Sequence, residues 1–243
     1  GLQGWKQIQV PLHAILWQKE ALWNAIAEGL EECYDKFVFL DADLWFENEN
    51  WLQETSDLLD QVDFVQPFSH CYWTDEDGLS LRDSPSAFSI KQSDRVAGHV
   101  GFGVAMTRKG FYGISGFYER SVCGNGDTIM ASGMLGIPLS NLQLEITGGT
   151  LDAKLLCKSW VDNAALFSMG KVGCTQGNVW HEWHGSRDNR KYVERKECVK
   201  DFNPLEHLDK HEDGYLMWSQ EAPPEMMLAV KNYFIERKED GKA

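Results

Sequence analysis

The chain has 243 residues, 43% of them hydrophobic, with 10 Trp, 12 Phe and 7 Tyr. That is ample material for a packed core and excludes global disorder. The net charge of −14 argues against a broad surface that tracks nucleic-acid phosphates, though not against a local basic groove.

Gln7–Leu12 (QIQVPL) is a short strand candidate limited by Pro11. Trp17–Tyr34 reads as a helix, with Leu16, Leu22, Trp23, Ile26 and Leu30 at helical spacing and Trp17 and Trp23 assigned to the core. Lys36–Leu40 (KFVFL) is a continuous apolar run, the pattern of a parallel strand buried on both faces. Glu49–Leu59 is helical again, and Val62–Pro67 resembles another strand. This alternation predicts an α/β fold with a mostly parallel sheet flanked by helices.

His70–Val96 is polar and irregular, with DEDG and RDSPS turn signals, and is expected to be a functional loop or lid. Gly98–Arg108 is glycine-rich and then strand-like, and Gly124–Gly136 holds a short helix after GNG. Asp152–Met169 is a longer helix, and Asn178–Gly185 a short strand or turn. Arg187–Lys200 and Pro224–Arg237 read as amphipathic helices, followed by a frayed tail. The whole chain is expected to form one domain, with residues 186–243 as a helical C-terminal extension. No apolar run approaches the roughly 20 residues that span a bilayer, so no membrane span is expected. Six scattered cysteines without a CxxC pair exclude zinc-ribbon spacing. They predict free, mostly buried thiols in a reducing cytoplasm.

The stretch FVFLDADLWF carries the first chemical signal. Asp41 and Asp43 follow the apolar run directly. In an open α/β sheet, ligands bind beyond the carboxyl ends of strands. Side chains at i and i+2 of an extended segment point the same way. Paired carboxylates repel unless a cation or donors stabilise them. A hard ion such as Mg²⁺ or Mn²⁺ accepts such ligands together with phosphate oxygens. An aspartate after a strand is also an ordinary turn residue or helix cap, so a bare DxD says little alone.

The motifs in order are WQKEALWNAI, FVFLDADLWFENENWL, GFGVAMTRKGFYGISGFYE, GNGDTIMASGMLG and HEWHGSRDNRKYVER. Together they resemble a GT-A-fold glycosyltransferase, similar to family-two-like enzymes of bacteria and phages. The resemblance runs from about Trp17 to Asp240. It implies a Mn²⁺- or Mg²⁺-dependent transferase whose donor is a nucleotide-diphosphate sugar such as a UDP-sugar. It implies that Asp43 ligates the metal and that Asp41 contacts the ribose or the metal's water shell. It implies that His181 or His184 completes the metal site, that Lys19 and Asn24 face the nucleotide, and that Gly101 and Gly103 line the donor and acceptor pocket. It also implies that Arg187 and Arg190, with Arg195 and Tyr192, cluster near the phosphates. Asp127 corresponds to the base that deprotonates the acceptor hydroxyl, a role that would make the reaction inverting.

The chain has Gly126-Asp127 where the resembled enzymes often have Glu-Asp. The first βα unit, with its nucleoside contacts, looks shortened. No GxGxxG stands in a dinucleotide context, which rejects a Rossmann cofactor. The acceptor is expected to be a glycan or envelope polymer, or a hydroxymethylated DNA base in a phage setting. Two other classes remain: a catalytically silent nucleotide- or sugar-binding relative, and an unrelated metal-dependent phosphotransfer enzyme.

Overall fold

The computed structural model describes residues 7–11, 14–90 and 94–238, apart from the side chains of Arg187 and Asp188. Residues 7–11 form no strand, and Leu12 lies outside the described residues. Helix α1 (Lys19–Glu28) leads to strand β1 (Lys36–Leu40), then β2 (Leu44–Phe46), helix α2 (Trp51–Leu59) and β3 (Phe64–Gln66). The segment expected to be a loop is a hairpin of β4 (His70–Thr74) and β5 (Ser80–Pro85), followed by a turn of 3-10 helix at Ala87–Ser89. Its turn is the DEDG signal, where Asp75 Oδ1 accepts from the backbone N–H groups of Asp77 and Leu79. Strand β6 (Gly103–Thr107) runs into α3 (Arg108–Gly113), and α4 (Gly126–Leu135), α5 (Asn141–Thr147) and α6 (Leu151–Ser168) follow. Strands β7 (Val172–Cys174) and β8 (Asn178–His181) lead to the C-terminal part. That part contains α7 (Pro204–His207), β9 (Leu208–Lys210), β10 (Leu216–Trp218) and α8 (Pro224–Glu236).

The described strands make two four-stranded sheets, ordered β1-β6-β3-β7 and β2-β8-β4-β5, and the small pair β10-β9. The architecture is mixed α/β with helices flanking mixed sheets, which corrects the expected mostly parallel sheet. Strand β6 inserts antiparallel between β1 and β3, while β3 and β7 pair in parallel. In the second sheet β8 is parallel to β4 but antiparallel to β2. Alternating helices and strands fix the layers, but pairing direction depends on which distant strand fills the gap.

The strands buried on both faces are the two central ones, β6, where Val104, Ala105 and Met106 are sealed, and β3, where Phe64, Val65 and Gln66 are. Strand β1 lies at a sheet edge. Phe37 and Phe39 point into the core and Val38 faces outward, 38% exposed. Phe39 meets Phe117 edge-on with ring centres 4.8 Å apart, and Trp23 packs against both. Burying such rings contributes roughly 2–3 kcal/mol each.

Asn24 is structural rather than nucleotide-facing. It is 4% exposed, and its amide donates to Phe117 O and accepts from Phe117 N–H. Residues 187–200 are not one amphipathic helix. Two 3-10 turns, Arg187–Arg190 and Glu194–Val199, are separated where Lys191 adopts φ +43°. A left-handed residue breaks the helical ladder. The C-terminal part is not purely helical either, since it carries β9 and β10. Val199, Phe202, Val230 and Tyr233 share one buried cluster with Leu16 and Ala21. The expected frayed tail falls mostly outside the described residues. All six cysteines are free: Cys71, Cys123 and Cys157 buried, Cys174 and Cys198 half-buried, Cys33 exposed. Among the described residues, no helix is long and apolar enough to cross a membrane.

Candidate metal centre and active-site cavity

The chain leaves the first sheet at Leu40 and enters the second at Leu44, so Asp41-Ala42-Asp43 lies at the junction of the sheets. Backbone bonds pin it at both ends. Asp41 N–H donates to Phe102 O at 2.9 Å, and Glu182 N–H donates to Asp43 O at 3.0 Å. The junction is a turn rather than extended chain, so the two carboxylates diverge to different partners instead of sharing one.

Asp43 Oδ2 lies 2.9 Å from His184 Nδ1 and 3.4 Å from His181 Nε2. These three residues offer ligand atoms all within 4.8 Å of one another. Strand β8 explains the placement. Its alternation buries Val179, turns Trp180 outward to stack on Trp45 and Tyr72, and sends His181 inward. The His181 ring stacks on Phe102, centres 4.4 Å apart. Phe102 itself holds φ +73°, an uncommon conformation for a bulky residue. Burial lowers the pKa of His181 to about 4, outweighing the pull of Asp43, with His184 and Arg190 pushing the same way as burial. The ring is thus neutral at physiological pH, as a metal ligand must be. Asp43 Oδ1 is buried and has no hydrogen-bond partner. One orphan carboxylate oxygen beside a neutral imidazole fits a divalent cation. The donor set contains Asp43, His181 and His184; Asp41 stands outside it.

Asp41 pairs instead with Lys19, 2.7 Å from Nζ, and the same ammonium lies 3.0 Å from Asp127. Burial raises the pKa of Asp41, opposed by Lys19 and reinforced by Asp127 and Asp43. Burial also works against the charge on Lys19, but Asp127, Asp41 and Glu20 together outweigh it and raise its pKa. Lys19 therefore stays charged and ties the DxD turn to the GNGD segment. Asp127 sits in the first turn of α4, where the helix dipole favours a carboxylate. Asn125 caps that helix at φ +89°, steadied by bonds to Gln143 O and Thr147 Oγ1.

Gly101 and Gly103 part company. A Cβ on Gly101 would come 2.9 Å from Asp127 Oδ2, so its bareness lets that carboxylate lie against the backbone. A Cβ on Gly103 would strike Leu40 at 2.5 Å, so Gly103 serves strand packing and does not line the cavity. Arg190 packs its guanidinium against His184 Nε2. The Arg187 side chain lies outside the described residues.

Asp41, Asp43, Asp127, His181, His184 and Lys19 all line one cavity of about 650 Å³, as do Gly101 and Arg190. That volume suits a small-molecule ligand. Trp17, expected in the core, is part of the cavity wall. Its indole donates to Glu20 Oε2 at 2.7 Å.

Glu20 escaped sequence reading because it sits in an ordinary amphipathic helix. It is 4% exposed, and a Cβ on Gly126 would fall 1.9 Å from its Oε1, so glycine is required there. Burial raises its pKa from 4.5 to about 7, against Lys19 and with Asp127. A raised folded pKa means the native state holds a proton that the unfolded chain releases. Stability from this group therefore falls as pH rises from about 4.5 to 7 and stays low above that. Glu20→Gln should match the wild type closely at pH 5 and exceed it by up to roughly 3 kcal/mol at pH 8. Urea unfolding at both pH values measures this, and a gap independent of pH would contradict it.

Comparison with known proteins adds no relative: no family model, no curated protein and no solved structure matches the chain.

Proposed function

We propose that the chain is a metal-dependent glycosyltransferase that moves a sugar from a nucleotide-diphosphate donor to an acceptor hydroxyl. The observation that carries this reading is the meeting of the Asp43–His181–His184 triad and Asp127 in one cavity. A Mn²⁺ or Mg²⁺ ion at the triad would supply Lewis-acid neutralisation of the departing diphosphate. Asp43, His181 and His184 would hold it, with Asp43 Oδ1 free to ligate.

The other residues have separate work. Arg190, beside the triad, offers a planar fork for phosphate oxygens. Asp127, with a 32% exposed side chain, is open to a hydroxyl in the cavity and accepts its proton as general base. Lys19 holds Asp127 and Asp41 at fixed positions relative to each other. A single displacement with one base inverts the anomeric centre. A phosphotransfer enzyme built on an aspartyl nucleophile would instead show phosphatase turnover without an acceptor.

Calorimetric titration with nucleoside diphosphates tests the binding half. Binding should tighten with Mn²⁺ or Mg²⁺ and weaken in EDTA. Equal binding in EDTA would remove the metal from the account.

A further inference from the structure

Acids outnumber bases in the chain, 37 to 23, yet the cavity reverses the balance. Five cations, Lys19, Arg82, Arg190, Arg195 and Arg237, line it against four carboxylates. Lys19 is matched by Asp41 and Asp127. Arg190 belongs to the triad end. Arg195 and Arg237 lie elsewhere and are the unusual pair, because both are guanidiniums withdrawn from water, 8% and 7% exposed.

Local contacts place them together. Arg237 lies over the Trp17 ring at 5.3 Å. Gly124 sits between Arg195 and Trp17, since its Cβ would be 3.2 Å from Arg195 Nη1 and 3.7 Å from Trp17. Hydrogen bonding to Cys198 and burial push the Cys123 thiol well above its usual pKa, and both guanidiniums pull against that shift. Arg195 thus flanks Cys123-Gly124, three to four residues before Asp127, and Arg237 lies over the Trp17 ring that Gly124 faces. Arg195 Nη1 donates to Cys123 O at 3.1 Å, while its buried Nε has no hydrogen-bond partner. A buried donor left unmade is costly, and a buried cation more so. A ligand anion is the natural remedy.

We propose that Arg195 and Arg237 form a second anion subsite at the Trp17 end of the cavity, which takes a phosphate group carried by the acceptor. Two guanidiniums match the double charge of a phosphate monoester better than the single charge of a carboxylate. The subsite adjoins the GNGD segment, so the anchored phosphate presents a neighbouring hydroxyl to Asp127. The assignment to the acceptor rests on the transferase reading; the anion subsite itself does not.

The test is calorimetry with inorganic phosphate in EDTA, so that the triad plays no part. Wild-type protein should bind phosphate, and Arg195→Gln should weaken it at least about tenfold. Arg237→Gln should do the same and serves if the first variant does not fold. Unchanged affinity in either folded variant, or no phosphate binding by the wild type, overturns the subsite. A second titration uses protein saturated with Mn²⁺ and a nucleoside diphosphate. Phosphate should still bind, giving a ternary complex. Competition would assign the guanidiniums to the donor diphosphate and overturn the acceptor role. Phosphate binding needs no turnover, so a protein that binds it yet transfers no sugar refutes only the transferase reading.

Discussion

Asp43→Asn should abolish Mn²⁺-dependent nucleotide binding. Asp43 is the one carboxylate of the triad, and both histidines face its Oδ2. Its Oδ1 is the buried oxygen without a partner. Asparagine keeps the shape but removes the charge and places an amide in the donor set. Losing an outer-shell partner of a metal ligand typically costs 10–100-fold in affinity, so losing the ligand itself should cost at least about 100-fold. The fold should survive, because the same turn is held by backbone bonds from Asp41 and to Asp43 O. Titration of Mn²⁺ by electron paramagnetic resonance measures the loss directly. Wild-type affinity in the variant would show that the ion binds elsewhere.

Asp127→Asn should separate binding from chemistry. The side chain touches Lys19 and lies over Gly101, outside the triad. Metal and donor binding should therefore persist. A general base contributes roughly 10²–10⁴-fold, and transfer should fall by that amount. Rates measured at saturating donor and acceptor isolate the effect. Transfer at the wild-type rate would remove Asp127 as the base. A loss of donor binding equal to the loss of rate would instead make it a binding residue.

The sequence made these residues visible to different degrees, for physical reasons. Helix α1 was legible from apolar residues at helical spacing and α8 from its amphipathic pattern, while the GNG turn announced α4. Strand β1 was legible as an apolar run, but its place at a sheet edge was not. Nothing local in KFVFL says that a strand some 60 residues later will pair with it antiparallel. Strand β5 was hidden because SLRDSP is exposed and polar, and carries no alternation to read. The break at Lys191 was hidden because a left-handed lysine has no sequence signature.

The cavity followed the same division. Asp41, Asp43, Asp127, His181 and His184 stood out as chemistry-bearing residues at strand and helix ends, and the fold brings them to one cavity. The separation of Asp41 from Asp43 was not legible, because the i and i+2 rule assumes extended chain and the junction is a turn. Asn24 misled because a buried amide bonded to backbone looks like a binding residue in sequence. Gly103 misled because close strand packing and ligand approach both demand glycine. Glu20 and Arg237 were missed, the first inside a helix and the second beside a presumed tail. The WxxE spacing was the available signal, since it sets Trp17 just before the N-cap Gln18 and Glu20 in the first turn of α1, within reach of each other.

The most direct test of the central claim is a turnover screen of nucleotide sugars with Mn²⁺, with Mg²⁺ and with EDTA. Release of nucleoside diphosphate from at least one donor, dependent on metal and absent in EDTA, is the result expected. No turnover with any donor, or turnover undiminished by EDTA, would contradict the assignment of this cavity to metal-dependent sugar transfer.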